Sequence, residues 1–121
     1  MPTFSKVSHI SFSVRDAEAS AQWWAALLEL TEIEFQQHDG NQGETFDPLR
    51  TGFGHMGFKV DTRAGLDEWL ARFEQLDVTH SPIAEAEYGA VLAFTDPDGI
   101  QFEMFFKPTT HRTSEIEGNY D

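Results

Sequence analysis

Four side chains of this sequence have the chemistry and the placement of ligands for a divalent metal ion. His9 and His55 occupy equivalent positions of an internal repeat, and Glu103 lies in the last apolar segment of the second copy. Glu34 is a fourth candidate, near the end of the first copy. Two imidazoles and one carboxylate can hold a divalent metal and leave positions open for a substrate. A carboxylate ligand that detaches can also act as a general base.

Each candidate also has an interpretation without a metal. A histidine on the polar face of a strand is most often solvated or hydrogen-bonded, and Glu103 can be a plain solvent-facing carboxylate. Glu34 lies close to Glu32, in a segment that is simply acidic. The equivalence of the two histidines under the repeat is the observation that favours a metal site.

Other polar side chains are interpreted more simply. The remaining histidines, at positions 38, 80 and 111, fall in predicted loops or in the tail, and we interpret them as surface residues. Tyr88 precedes Gly89 and could reach the site as an acid or as an orienting hydroxyl. A tyrosine at such a strand edge more often keeps its hydroxyl group in water.

The repeat is visible when residues 9–30 are aligned, without a gap, with residues 55–76. Apolar and aromatic positions match along with the histidines. The matching pairs are Phe12 with Phe58, Val14 with Val60, Trp23 with Trp69, Leu27 with Phe73 and Leu30 with Leu76. The sequence therefore predicts two copies of one supersecondary unit.

Each copy is predicted to open with a strand and to continue into a helix. Residues 7–14 and 55–60 alternate between apolar and polar side chains, which is typical of a strand with one buried face. His9 and His55 lie on the polar face of these strands. The helices are predicted over residues 17–30, after an N-cap at Asp16, and over about residues 64–76.

The two copies differ after the helix. The sequence of the second copy predicts a weak strand at 78–83. It then predicts a hairpin of strands 88–95 and 100–106, joined by an Asp-Pro-Asp-Gly turn. In the first copy only residues 31–38 have a strand pattern, because the polar, glycine-rich stretch that follows reads mainly as a loop. The first copy is therefore two strands shorter than the β-α-β-β-β second copy. If it ends at this strand, Glu34 is the counterpart of Glu103.

The amino-acid composition excludes several classes of protein and of functional site. The 121 residues fit one domain, and an aromatic content of 13% argues against disorder. No cysteine is present, which excludes disulfides, thiolate zinc sites and a cysteine nucleophile. A formal net charge of -13 disfavours nucleic acid and anionic membranes as partners. Since the sequence has no membrane-length apolar run and no signal-peptide pattern, we expect a soluble cytoplasmic protein.

Three segments resemble the vicinal oxygen chelate superfamily. They are VSHISFSVRD at residues 7–16, GHMGFKV at 54–60 and FTDPDGIQFEM at 94–104. The superfamily includes glyoxalase I, bleomycin-resistance proteins, fosfomycin-resistance thiol transferases, methylmalonyl-CoA epimerase and extradiol dioxygenases. The resemblance covers residues 7–106, and the Asp-Pro-Asp-Gly turn followed by a strand with a glutamate is a fairly specific part of it.

The resemblance implies an α+β fold of paired βαβββ modules, in which a curved mixed sheet forms a cup with the helices outside. A single domain of residues 1–121 would hold the first module at about 5–39, a linker at 40–53, the second module at 54–107 and a polar tail at 108–121. The ligands would be His9, His55 and Glu103, with Glu34 as a possible fourth, around zinc, nickel, iron or manganese. Single-domain members commonly form homodimers, in which modules can be shared between chains.

The resemblance implies three kinds of function. The first is a glyoxalase-like, metal-dependent lyase or isomerase that binds two oxygens of a small substrate and moves a proton through Glu103 or Glu34. The second is a metal-free protein of the bleomycin-resistance type, which sequesters a cationic small molecule and which the acidic charge favours. The third is an oxygenase like the extradiol dioxygenases. A set of four ligands would resemble bacterial glyoxalase I, and a set without Glu34 would resemble the dioxygenases or the fosfomycin enzymes.

Overall fold

The computed structural model describes residues 1–3, 5, 8–28 and 33–108, and these form the α+β fold that the sequence predicts. The elements, in chain order, are β1 (Ile10–Ser13), α1 (Ala17–Leu27), β2 (Ile33–Gln36), β3 (His55–Lys59), α2 (Arg63–Gln75), β4 (Ala84–Ala86), β5 (Gly89–Thr95) and β6 (Gln101–Phe106). The strands form one sheet of β1-β2 and a second sheet in the order β3-β6-β5-β4. Two compact units result, a first unit of Met1–Gly54 with Thr95–Gln101 and a second unit of His55–Phe94 with Phe102–Asp121.

The first unit is built on a strand-helix-strand crossover. β1 and β2 pair in parallel, with Ser11 opposite Glu34. α1 begins after Asp16, whose carboxylate accepts a hydrogen bond from the Ala19 N–H at 3.1 Å and so satisfies a donor of the first turn. Trp24 of α1 is buried, and its ring centroid lies 6.3 Å from that of Phe35 in β2. The apolar side of the two strands therefore faces the helix, and Ser11 and Glu34 remain exposed.

Residues 37–54 form the loop that stands in place of two strands. All of them are described and none is in a strand, so the prediction of a shortened first copy is confirmed. Phe46 and Phe53 both hold the loop to the rest of the first unit. The Phe46 N–H donates to the Asp98 carbonyl at 2.8 Å. The Phe53 ring lies edge-on to Phe12, with the ring centroids 5.2 Å apart.

The second unit packs α2 against the four-stranded sheet. Thr62 caps the helix by accepting a hydrogen bond from the Gly65 N–H at 3.0 Å. Phe73 is fully buried and contacts Phe94 of β5, with ring centroids 4.6 Å apart. Replacing a buried phenylalanine of this kind by alanine costs roughly 3–5 kcal/mol. The core therefore fixes the sheet from the helix side and leaves its other face partly exposed.

Some predicted element boundaries differ from the structure. The strand predicted at 78–83 is wrong, because only His80 forms an isolated bridge there, to Phe94, and the regular strand is β4. Pro82 has no N–H to donate and interrupts the ladder. The first helix ends at Leu27 rather than at residue 30, and residues 29–32 lie outside the described ranges. No helix among the described residues is long and apolar enough to cross a bilayer.

A tight hairpin joins β5 to β6. The Asp96 N–H donates to the Ile100 carbonyl at 3.1 Å, and the Gly99 N–H donates to the Asp96 carbonyl at 2.9 Å. Gly99 has a φ of 81°, a left-handed conformation that glycine adopts at low cost. The turn sets the register of the strands, in which Phe94 stacks on Phe102 with ring centroids 5.7 Å apart.

Candidate functional site

His55 and Glu103 form a pair on neighbouring strands of the second unit. His55 is the first residue of β3, and Glu103 lies in β6, the adjacent strand. His55 Nε2 is 3.6 Å from Glu103 Oε2. The imidazole side chain is 46% exposed and the carboxylate side chain is 25% exposed. Both groups reach solvent on the sheet face opposite the buried side chains of β6.

The spacing of this pair fits two ligands of one divalent ion. A nitrogen and an oxygen that each bind one ion at about 2.1 Å lie roughly 3.0–3.4 Å apart at octahedral or tetrahedral angles. The observed separation of 3.6 Å comes within that range after a small side-chain rotation. One nitrogen and one oxygen donor suit zinc, nickel, iron or manganese.

Gly57 keeps space open beside the Glu103 carboxylate. A Cβ added at Gly57 would lie 3.9 Å from Glu103 Oε1. Oε1 therefore borders the gap above Gly57, whereas Oε2 faces His55. A metal ion bound by His55 could therefore contact Oε2 of Glu103, while Oε1 remains accessible to a small molecule.

The first unit repeats the backbone arrangement that holds Glu103. The Val60 N–H donates at 2.9 Å to the carbonyl of the residue two positions after Glu103. The Val14 N–H donates at 2.8 Å to the carbonyl of the residue two positions after Glu34. Val14 and Val60 are matching positions of the sequence repeat. Glu34 therefore holds in the first unit the backbone position that Glu103 holds in the second.

The candidate side chains of the first unit are arranged differently from those of the second. Glu34 is exposed, and His9 Nδ1 lies 3.0 Å from Ser8 Oγ. Within the described ranges, no group of three or more histidine, aspartate or glutamate side chains is placed to hold a metal. The structure therefore brings together His55 and Glu103, and a metal site completed by His9 and Glu34 stays a prediction.

A carboxylate in the hairpin turn anchors the end of β1. Asp98 Oδ1 accepts hydrogen bonds from Arg15 Nε at 2.6 Å and from the Arg15 backbone N–H at 3.2 Å. Asp98 is 5% exposed, and its hydrogen bond and negative charge raise the pKa of Arg15. The sequence indicated only a turn at this point. No short-range signal links two residues that are 83 positions apart in the chain.

Asp96, at the start of the same turn, is a second buried carboxylate. Its Oδ1 accepts hydrogen bonds from the backbone N–H groups of Asp98 and Ile100, each at 2.9 Å. Burial raises the pKa of Asp96 to about 6, although these two hydrogen bonds act in the opposite direction. Its contacts assign Asp96 a role in holding the turn that leads into β6.

The first unit also contains an open cavity of about 780 Å³. The lining comes from the loop, the end of β1 and the hairpin turn, and includes Arg15, Phe46, Arg50, Phe53 and Ile100. The four predicted metal ligands are not among the lining residues. The cavity is therefore a feature separate from the predicted metal site.

The α+β fold is what the family comparison leads one to expect. The profile of the Glyoxalase/Bleomycin resistance protein/Dioxygenase superfamily matches residues 26–104. The chain belongs to this superfamily. No curated protein matches the chain. Superfamily membership confirms the family that the sequence motifs indicated and leaves the activity open, since one fold hosts many activities.

Several solved structures have folds similar to that of this chain. A glyoxylase/bleomycin resistance protein/dioxygenase domain from Frankia sp. EAN1pec is 28% identical, with a TM-score of 0.80 over 90% of this chain and 96% of that chain. FosX from Listeria monocytogenes, complexed with Mn(II) and sulfate, is 19% identical, with a TM-score of 0.64 over 88% and 94%. Lactoylglutathione lyase from Agrobacterium tumefaciens is 18% identical, with a TM-score of 0.63 over 87% and 96%. The last two likenesses show the fold alone.

Tyr88 immediately precedes β5, the strand that neighbours β6, and β6 carries Glu103. Its ring stacks on Phe105, with centroids 6.0 Å apart and planes inclined by 19°. Phe105 follows Glu103 by two positions and shares its face of β6. Tyr88 is 52% exposed, which agrees with the simpler interpretation of a tyrosine at a strand edge.

The remaining histidines follow the sequence interpretation only in part. His38 is exposed, as expected for a loop residue. His80 is not a surface residue, because its side chain is only 17% exposed and lies against the Phe73 ring. Its Nδ1 is 2.7 Å from the Ser81 carbonyl, which assigns it a packing role. His111 lies outside the described residues.

Proposed function

We propose that this chain is a glyoxalase-like, metal-dependent enzyme of the lyase or isomerase type. It would act on a small molecule through oxygen coordination and proton transfer. The observation that carries the proposal is the pair of His55 and Glu103, whose Nε2 and Oε2 atoms are 3.6 Å apart on an accessible sheet face. A nitrogen donor beside a partly buried carboxylate offers a metal ligand and a base, which suits metal-assisted proton transfer.

In this proposal His9, His55 and Glu103 hold the metal, and Glu34 is a fourth ligand or a free carboxylate. The matching backbone positions of Glu34 and Glu103 support a ligand set drawn from both copies of the repeat. A divalent metal in such a site supplies Lewis-acid polarisation of a substrate carbonyl. The related FosX structure holds manganese(II), and zinc, nickel and iron suit the same donors.

Glu103 would carry the proton in the reaction. Its Oε1 borders the gap above Gly57, so a substrate C–H group placed in that gap can give its proton to Oε1. The same oxygen then returns the proton to a neighbouring atom of the substrate, and the carboxylate is regenerated. His55 Nε2 lies 3.6 Å from Oε2, the other oxygen of the carboxylate. Glu34, at the equivalent position of the first unit, is the second candidate for this task.

The proposal includes a homodimer. The first unit has a sheet of only two strands among its described residues, with α1 packed on one face. Strand edges that lack a neighbour favour pairing with another chain, and a second copy of this chain would supply it. In a dimer that shares modules, His9 of one copy and His55 of the other would serve the same site.

A metal-free protein that binds a cationic small molecule is the second candidate function. The formal net charge of -13 favours it, because such a charge attracts cations. This candidate requires no proton transfer by Glu103.

Exchange of substrate C–H groups for deuterium separates the two candidates. Manganese(II)-loaded protein is incubated in D2O with small α-hydroxyketones and with hemithioacetals of 2-oxoaldehydes, and NMR follows the C–H group beside the carbonyl. We expect exchange above the rate of free manganese(II), a loss of about a hundredfold or more in Glu103→Gln, and no loss in the control His38→Ala. Exchange no faster than with free manganese(II) would contradict the enzyme proposal. Binding of a cationic dye without any exchange would support the second candidate.

A further inference from the structure

Glu103 is bordered by the two smallest kinds of side chain on its sheet face. Gly57 of β3 lies on one side, next to Oε1. Ala93 of β5 lies on the other side, because the hairpin register that stacks Phe94 on Phe102 places Ala93 opposite Glu103. A hydrogen atom and a methyl group leave the carboxylate accessible from both neighbouring strands.

The sheet face beyond Ala93 is apolar. The hairpin register continues to Val91, and β4 places Ala84 opposite Val91. Ala84 is exposed and the other two are partly exposed, so a ligand can reach all three. The charged residue of β4, Glu85, lies on the opposite face, where it binds Arg63 of α2 at 2.6 Å. We call these three side chains, Ala84, Val91 and Ala93, the apolar floor.

An aromatic pair stands at one end of the apolar floor. Phe105 lies opposite Val91 in the hairpin register, and the Tyr88 ring stacks on it with centroids 6.0 Å apart. About half of the Tyr88 surface is open to solvent. We call Tyr88 and Phe105 the aromatic wall. Two cationic side chains lie near this end of the sheet: Lys59 of β3, across β6 from the floor, and Lys107, which follows β6 beside Gly89.

We propose that the Glu103 site takes substrates that carry an uncharged apolar or aromatic substituent beside their chelating oxygens. The oxygens lie at His55 and Glu103, and the substituent lies over the apolar floor and against the aromatic wall. An anionic substituent over the apolar floor would exchange its hydration for contact with alanine and valine side chains, which offer it no hydrogen-bond donor. This inference rests on the proposed function, because it assigns the substrate class of the same site.

Hydroxamates test the inference, since they chelate a divalent metal through two oxygens and can carry different substituents. Calorimetry measures the binding of acetohydroxamate, benzohydroxamate and phosphonoacetohydroxamate to manganese(II)-loaded protein. We expect benzohydroxamate to bind about tenfold more tightly than acetohydroxamate, and the phosphono compound to bind no more tightly. Val91→Glu and Tyr88→Ala should reduce the tenfold ratio to about threefold or less and leave acetohydroxamate binding unchanged. The control Tyr88→Phe keeps the ring and should keep the ratio.

The outcomes separate this inference from the proposed function. Equal binding of benzohydroxamate and acetohydroxamate overturns the inference and leaves the metal site standing. Tighter binding of the phosphono compound overturns it in favour of an anionic substrate. A ratio that is unchanged in both Val91→Glu and Tyr88→Ala, with circular dichroism showing folded variants, overturns the assigned place of the substituent. A protein that binds neither manganese(II) nor acetohydroxamate contradicts the proposed function itself, and the inference with it.

Discussion

Two buried carboxylates of the hairpin turn differ in their electrostatic surroundings. Asp98 is paired with the Arg15 guanidinium, whose Nε lies 2.6 Å from Asp98 Oδ1. Asp96 accepts hydrogen bonds from two backbone N–H groups. Burial, assisted by the negative charge of Asp98, outweighs these bonds and raises the pKa of Asp96 to about 6. The stability of the turn therefore depends on the protonation of Asp96.

The raised pKa of Asp96 predicts a pH-dependent contribution to the free energy of unfolding. The carboxyl group binds a proton more readily in the folded chain than at its ordinary pKa of 3.8. Its contribution is full below pH 3.8 and is lost as the pH rises through about 6. Asp96→Asn keeps an oxygen for the two N–H groups and removes the charge. Relative to wild type it should gain up to roughly 3 kcal/mol between pH 4 and pH 7.5, at about 1.36 kcal/mol per pKa unit.

Urea unfolding at the two pH values measures this gain. Asp96→Asn and wild type should differ most at pH 7.5, where the wild-type carboxylate is charged. A difference in unfolding free energy that is the same at pH 4 and at pH 7.5 would show that Asp96 has an ordinary pKa in the folded chain.

At the scale of elements, the hairpin turn holds the first unit together. The Asp98 carboxylate binds the end of β1 through Arg15, and the Asp98 carbonyl accepts from the Phe46 N–H of the loop. Ser20 of α1 also points its hydroxyl group at Asp98 Oδ2, at 3.5 Å. One turn therefore fixes a strand, a helix and the loop that replaces two strands.

Asp98→Ala should destabilise the chain because it removes the carboxylate that accepts hydrogen bonds from Arg15 and Ser20. We expect a loss of roughly 2–3 kcal/mol in the free energy of unfolding. Asp98→Asn keeps Oδ1 as an acceptor and should lose less. Glu44→Ala, at an exposed position of the loop, is the matched control and should stay within about 0.5 kcal/mol of wild type. Chemical denaturation measures all three, and an Asp98→Ala variant as stable as the control would refute the anchoring role.

Replacement by alanine should destabilise the chain to different extents at Gly89, in β5, and at Gly99, in the turn after β5. Gly99 has a φ of 81°, and an added Cβ would meet nothing closer than 3.9 Å, so only the left-handed backbone costs energy, about 1–2 kcal/mol. Gly89 has a φ of 144°, and an added Cβ would collide with the Phe106 carbonyl. Thermal unfolding should show a larger loss for Gly89→Ala than for Gly99→Ala. Equal losses would mean that β6 shifts easily away from Gly89.

Short-range patterns predicted the elements whose signals are local. Alternation and the repeat placed His55 and Glu103 on one sheet face, and the Asp-Pro-Asp-Gly motif placed the turn before β6. The three-residue strand β4 was missed, because an exposed edge strand of Ala-Glu-Ala has no alternation of burial and Pro82 drew the prediction upstream. The pairing of Arg15 with Asp98 was missed because it depends on tertiary contact alone.

At the scale of the whole molecule, charge is the dominant composition feature. The 21 acidic residues outnumber the 8 basic residues. The acidic excess destabilises the folded state by self-repulsion, which salt screens over about 10 Å at 0.1 M. The melting temperature should therefore rise between about 20 mM and 500 mM KCl, as differential scanning calorimetry would show. A melting temperature that falls with KCl would mean that attractive ion pairs outweigh the repulsion.

We proposed that His9, His55 and Glu103, drawn from both copies of the repeat, would hold a divalent metal. Elemental analysis of the untagged protein tests this proposal most directly, beside a His9→Ala/Glu103→Ala double variant and the control His38→Ala. We expect close to one divalent ion per chain in wild type and in the control, and almost none in the double variant. Wild-type protein that stays empty after incubation with zinc, nickel, manganese and ferrous iron would contradict it.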